Sequence, residues 1–314
     1  RREAIQTLKA ISRLNSKYSK EYETAIHQVE SDLREENICL VNDCQLDEDQ
    51  AAFVRRFYYK QLDGYIAPVW FSALKDLNNE PDDCIYLAVK MRKQTDKTHP
   101  EYALLQLPVN LVGRFVQLPS RGNQHFIMYI DDVVRCTLPL IFAGLNYTIF
   151  EAYAFKFTKD AEMEIDNDLL NGLLQKISKG VKSRKCGQAM RVIYDAHMPK
   201  DVLKRVLGKL NIDKLDTVLA SGRYQNHRDL MKFPDCGRTD LKYPQWTPIL
   251  QPELTGEGSI LEAIRKKDRF IHVPYHDFAS YIRLLQEAAI HKEVKSIKTT
   301  LYRLAHDSKV VKAL

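Results

Sequence analysis

The side chain best placed to meet a phosphate is Arg303, which closes the run Ile297-Lys-Thr-Thr-Leu-Tyr-Arg303. Read as a strand, the run turns Ile297, Thr299 and Leu301 one way and Lys298, Thr300 and Tyr302 the other. Arg303 then sits at the strand's carboxyl end, and in open α/β sheets ligands gather in the crevice beyond such ends. A helix starting near Asp307–Ser308 would point its free N–H groups at the same region. A guanidinium beside those donors makes a planar, permanently charged cradle for phosphate oxygens. Lys298, on the same strand, is a secondary candidate. A solvated or salt-bridged arginine at a strand end is the plainer alternative, and spacing leaves both open.

Histidines offer less. His272 and His276 flank Pro274 in "IHVPYHDF". A spacing of four suits a shared metal only on a helix, and the proline argues against one. His272 can still end a strand near a ligand, or be structural. "KGVKSRK" gathers Lys179, Lys182, Arg184 and Lys185 into a solvated face or an anion-binding surface. "GRYQNHRDLMKFPD", Gly222 to Asp235, mixes cations, an aromatic ring and amides around a short helix. The sequence has no GxxxxGK[ST], GxGxxG, GxSxG or HExxH motif.

The elements that must position these residues come in three styles. From Ile5 to Leu33 apolar or aromatic residues recur every three or four positions, so one long helix carries a continuous seam. A pairing helix of the same chain or of a neighbouring subunit would cover it. "LDEDQAAFVRRFYYKQL" is a second amphipathic helix. The period then changes. "CIYLAVKM", "YALLQLP", "RFVQLP", "HFIMYI", "YTIFEAYAFKFT" and "AMRVIYDA" read as strands. "DDVVRCTLPLIF", "NDLLNGLLQKISKGVKSR" and "PKDVLKRVLGKL" read as helices among them. After the Pro-rich stretch "YPQWTPILQPELTGEGS" the order becomes β-α-β-α: strands in "RFIHVPY" and "VKSIKTTLYR", a helix with Asp277 as candidate N-cap, and a helix start in "DSKVVKAL". The expected fold class is a multidomain α+β protein whose last part opens an α/β domain.

Composition bounds the partners. The chain has 314 residues, 45% of them apolar and 28% charged, enough for two or three compact units. A net charge of +6 permits an anionic ligand without demanding one, and nucleic acid is not an expected partner. Six cysteines without a CxxC pair read as free thiols of a reducing compartment, hence a cytoplasmic protein. No apolar run reaches the ~18 residues of a membrane span, which leaves room for peripheral membrane association. The chain opens on what reads as a helix interior and stops as a helix begins, so it reads as a piece of a longer protein.

The order of four segments carries a resemblance. "FKFTKDAEMEI" (Phe155 to Ile165), "GRYQNHRDLMKFPD", "DRFIHVPYHDF" and "IKTTLYRLAHDSKVVKAL" follow one another as in the histidine-phosphorylating polyphosphate kinases, and "YALLQLP" and "GRFVQLP" fit the same family's head region. The resemblance implies the end of a helical N-terminal domain over 1–45, a head domain over 46–254, and from 255 the beginning of a first phospholipase D-like catalytic domain. It implies reversible transfer of the ATP γ-phosphate to inorganic polyphosphate through a phosphohistidine, with Mg2+ as cofactor and a homo-oligomer, dimer or tetramer, as the assembly. Arg303 matches the family arginine near the transferred phosphate and its magnesium, without being a metal ligand. The catalytic histidines fall outside these 314 residues, so the chain alone is expected to be inactive. Val273 stands where many members carry a second histidine, and no polar role carries over to it. The reading from a different class is a non-catalytic oligomerisation or polyanion-binding module.

Overall fold

In the computed structural model, residues 2–77, 79–159, 189–212, 217–256, 258–300, 304–305 and 307–314 are described. Their contacts divide the chain into two compact units, Arg1–Gly237 and Arg238–Leu314.

The first unit opens with helix α1, Arg2–Glu35. Its apolar spacing produces the expected seam, yet Leu8, Ile11, Leu14 and Tyr18 remain 45–60% exposed. Ile26, Glu30 and Leu33, further along, are half-buried where the helix runs beside β1, Ile38–Val41. Asn37, at φ 63°, supplies the left-handed turn between helix and strand, a conformation its short polar side chain tolerates. Helix α2, Glu48–Phe57, starts at a capping box in which Asp47 accepts from the Gln50 amide and Gln50 from the Asp47 amide. A single wide turn, Tyr58–Leu62, continues it.

Two sheets follow. In the smaller, β6 (Gln124–Tyr129) lies between β1, parallel, and β5 (Phe115–Arg121), antiparallel. The larger has six strands in the order β2-β4-β3-β7-β8-β9. These are Val69–Trp70 (β2), Tyr86–Lys93 (β3), Asp96–Gln106 (β4), Tyr147–Lys159 (β7), Ala189–Asp195 (β8) and Thr217–Ser221 (β9). Neighbours are antiparallel except β8 and β9, which run parallel. A parallel pair needs a crossover, and helix α5, Lys200–Lys209, lies between the two. Helices α3, Val109–Val112, and α4, Ile130–Ile141, flank β5 and β6.

Period-two alternation gives the six-stranded sheet two apolar faces. Leu87, Val89, Ala103, Leu105 and Ala154 pack with α2, α4, β5 and β6 in one core. Tyr86, Ala88, Leu104, Phe155, Phe157 and Val192 pack with Val202 and Val206 of α5 in the other.

The second unit is small. Ser259 caps helix α6, Ile260–Lys266, and Glu287 of helix α7, Ala279–Ile290, accepts from the Ser259 hydroxyl and the Ile260 amide. Ile282, Leu285 and Ala313 form its core with Tyr281, Ile297 and Val310, and Val310 and Ala313 bring in helix α8, Lys309–Ala313. Two expectations change here. Residues 269–275 and 294–300 are irregular rather than strands, so no β-α-β-α order forms among the described residues. A strand needs a hydrogen-bonding neighbour, and the only such contact described in this unit is the bridge between Ile249 and His276. Asp277 accepts from the Ala279 amide at 3.0 Å, but Phe278 occupies the N-cap position.

Candidate functional site

Of the residues chosen from sequence, Arg303 lies outside the described residues, as does the basic cluster at 179–185. Lys298 is exposed on irregular backbone. His272 is exposed too, its ring 5.0 Å from that of Tyr275, and its amide donates to His276 Nδ1 at 2.9 Å. His276 Nδ1 also lies 3.1 Å from Gln251 Nε2, so this nitrogen is the acceptor and the ring ties a turn together. No hydrogen bond or ion pair joins His272 to Lys298 among the described residues.

The first unit contains a site that spacing alone did not reveal. The sheet face turned toward α4 is apolar through Ala154 and then becomes polar two residues later. On that face Thr158 stands opposite Arg191, Lys156 opposite Ile193, and Ile193 opposite Leu219. Helix α1 contributes Tyr18, Ser19, Tyr22 and Glu23, and Ser221 at the end of β9, with Gln225, Asn226 and His227 of the following loop, completes the lining. They enclose a cavity of about 480 Å³. Lys156 Nζ donates to Asn226 Oδ1 at 3.0 Å, joining the first two family-like segments across 70 residues of chain. Arg191 is exposed and makes no ion pair with another described residue. The carboxylate in the lining is Glu23, which accepts from Ser221 Oγ at 3.4 Å. His227 packs its ring 4.8 Å from Tyr22, and burial pushes its pKa down, which favours the neutral imidazole. Beyond His227 a second cavity of about 320 Å³ is lined by Ile26, Glu30, Tyr129, Arg223 and Tyr224.

The loop that closes the cavity is anchored by buried charge. Arg114 grips Asp131 with both terminal nitrogens, at 2.5 and 3.1 Å, and donates to the Gln225 carbonyl at 3.1 Å. Asp132 accepts from Arg135 at 2.7 Å, from Arg223 at 2.6 Å and from the Tyr224 hydroxyl at 2.6 Å. Arg223 also reaches Asp43 at 2.5 Å, while the rings of Tyr129 and Tyr224 stack 3.9 Å apart. Burial works against the Arg223 charge, but Asp132 and Asp43 hold its pKa above the ordinary arginine value. Burial raises the Asp131 carboxyl against the pull of Arg114 and Arg135. The sequence signal for this cluster was available: "DDVVR" places three charges in an apolar helix, and buried charges must find partners.

The fold and this arrangement define a mixed α+β protein with an internally anchored polar cavity. Two family models match it in succession, the polyphosphate kinase middle domain at residues 49–233 and polyphosphate kinase C-terminal domain 1 at 259–314. The chain belongs to the polyphosphate kinase family. It is 31% identical over 311 residues to the polyphosphate kinase of Vibrio cholerae, covering 97% of this chain and 44% of that protein. The Escherichia coli K12 polyphosphate kinase is 29% identical over 306 residues, again with 44% of its length covered. The crystal structure of polyphosphate kinase from Porphyromonas gingivalis superposes with a TM-score of 0.75 at 28% identity, covering 98% of this chain and 44% of that one. The chain thus spans under half the length of these relatives.

Proposed function

We propose that the whole protein is an ATP:polyphosphate phosphotransferase that reversibly moves the ATP γ-phosphate onto inorganic polyphosphate. The observation that carries this reading is the succession of two polyphosphate kinase domain models along the chain. In this reading residues 1–45 end a helical N-terminal domain, 46–254 form the head domain, and 255–314 begin a phospholipase D-like catalytic domain. The phosphohistidine lies outside these residues, and the 314-residue chain alone is inactive. The assembly is a cytoplasmic homo-oligomer, and the exposed seam of α1 is a surface suited to joining subunits. No helix among the described residues is long and apolar enough to cross a membrane.

Arg303 is assigned the transferred phosphate. A guanidinium there would neutralise charge as it develops on the phosphoryl oxygens, the dominant protein contribution to phosphoryl transfer. Among the described residues no group of three or more His, Cys, Asp or Glu side chains could hold a metal ion. The ion enters this reading with the nucleotide, on phosphate oxygens.

The test is polyphosphate synthesis from ATP and Mg2+ by the whole protein, wild type against Arg303→Ala. A rate loss of about two to five orders of magnitude, with fold and assembly intact, supports the assignment. Near-normal activity would return Arg303 to a structural part. No activity in the wild type would favour the polyanion-binding module.

A further inference from the structure

We propose that the cavity over β7, β8 and β9 binds the phosphate group of a small ligand, at a site lined entirely by the first unit. Lys156 and Arg191 project from one face of adjacent antiparallel strands and are diagonal neighbours in the register. Such positions lie about 7–8 Å apart, a span that two long cationic side chains can close around one anion. Thr158, directly opposite Arg191, adds a hydroxyl. Fork, ammonium and hydroxyl on one sheet face give a cluster of donors with two positive charges, which suits the several oxygens and higher charge of a phosphate.

The charge balance agrees. Two cations face one carboxylate, Glu23, which already accepts a hydrogen bond from Ser221. Lys156 spends its bond on a neutral amide oxygen, and Arg191 has no carboxylate partner among the described residues. At about 480 Å³ the cavity falls within the size range of small-molecule sites, and Tyr18 and Tyr22 give it a partly aromatic wall. The platform is rigid, because the opposite faces of the same strands carry Phe155, Phe157 and Val192 of the second core. The proposal counts donors in the cavity itself and does not depend on the phosphotransferase reading.

The phosphate could belong to a polyphosphate chain, a nucleotide or the free ion, and separate probes distinguish these sources. Tripolyphosphate, ADP and inorganic phosphate are titrated in turn into the 314-residue chain by calorimetry at low ionic strength. The same titrations are run on Arg191→Ala, Lys156→Met, Lys204→Ala and Arg303→Ala, each checked for an unchanged circular dichroism spectrum. Arg191 is exposed, so its replacement leaves the core intact. At least one probe is expected to bind, and losing either cavity cation should raise its Kd about tenfold or more. Lys204→Ala removes the same charge from helix α5, which packs on the sheet's other face, and should leave Kd unchanged. The probe that binds tightest names the source. Failure of all three to bind, indifference to Arg191→Ala, or an equal loss with Lys204→Ala would overturn the proposal. A loss confined to Arg303→Ala would do the same and place the ligand with Arg303, whereas failure of the phosphotransferase reading would show only in the synthesis assay.

Discussion

Asp132 and Arg223, 91 residues apart in the chain, meet at 2.6 Å with the aspartate completely buried. The pair ties the loop after β9 to helix α4. A buried charge in such a pair is costly to strip of its partner, more than the pair itself is worth.

Asp132→Ala should therefore destabilise the first unit by about 3–5 kcal/mol, because Arg135 and Arg223 lose the acceptor between them. Asp132→Asn, which can still accept the Tyr224 hydroxyl, should cost less. Urea midpoints for the three proteins check the order. Equal midpoints for wild type and Asp132→Ala would mean that the cluster is solvated in solution.

Protonation of His227 should oppose folding. Burial lowers its pKa in the folded chain from about 6.5 in the unfolded one, so the unfolded state binds the proton more tightly. Stability from this group is complete above pH 6.5 and declines as pH falls through the interval below it. Glu23, Asp229 and Glu30 pull the other way, and Arg114 adds to the depression. Thermal melts between pH 7.5 and 5.5 should show a smaller decline for His227→Gln than for wild type.

Thiol reactivity should follow burial. Burial and Asp83 push Cys84 up to about 11, and burial and Asp43 push Cys136 up to about 12. Cys44 is exposed. Because the thiolate is the nucleophile, iodoacetamide at pH 8 should modify Cys44 well before Cys84 or Cys136, as peptide mass spectrometry would record. Early modification of Cys84 would contradict the packing around β3.

Phe155 lies fully buried with its ring 5.6 Å from Tyr86. Phe155→Ala should lower stability by about 3–5 kcal/mol through lost burial and the cavity left behind. The same substitution at exposed Phe270 should lower it by far less.

The first unit was largely legible in the sequence because its elements announce themselves by period. "YTIFEAYAFKFT" alternates, and β7 covers it. "PKDVLKRVLGKL" repeats at helical spacing, and α5 forms there with Val202 and Val206 buried. Strands β1 and β9 escaped notice, for four or five residues such as "ICLV" or "TVLAS" are too few to display a period. In the second unit the strand-like text at 269–275 formed no strand, since pattern supplies propensity but pairing needs a neighbour. The cavity was not legible either. Lys156, Arg191 and Asn226 are brought together by register across β7 and β8 and by the anchored loop, and neither is written locally.

The parallel pairing of β1 with β6 matches Ile38 to His125 and Val41 to Met128. During synthesis from the N-terminus, β1 therefore emerges long before the strand that completes it. Until then, α1 and β1 are a helix with an apolar stripe and a four-residue strand with no ladder to join. The ladder of the smaller sheet therefore closes only after the chain through Met128 has been made, so this part of the fold depends on a contact of long sequence separation.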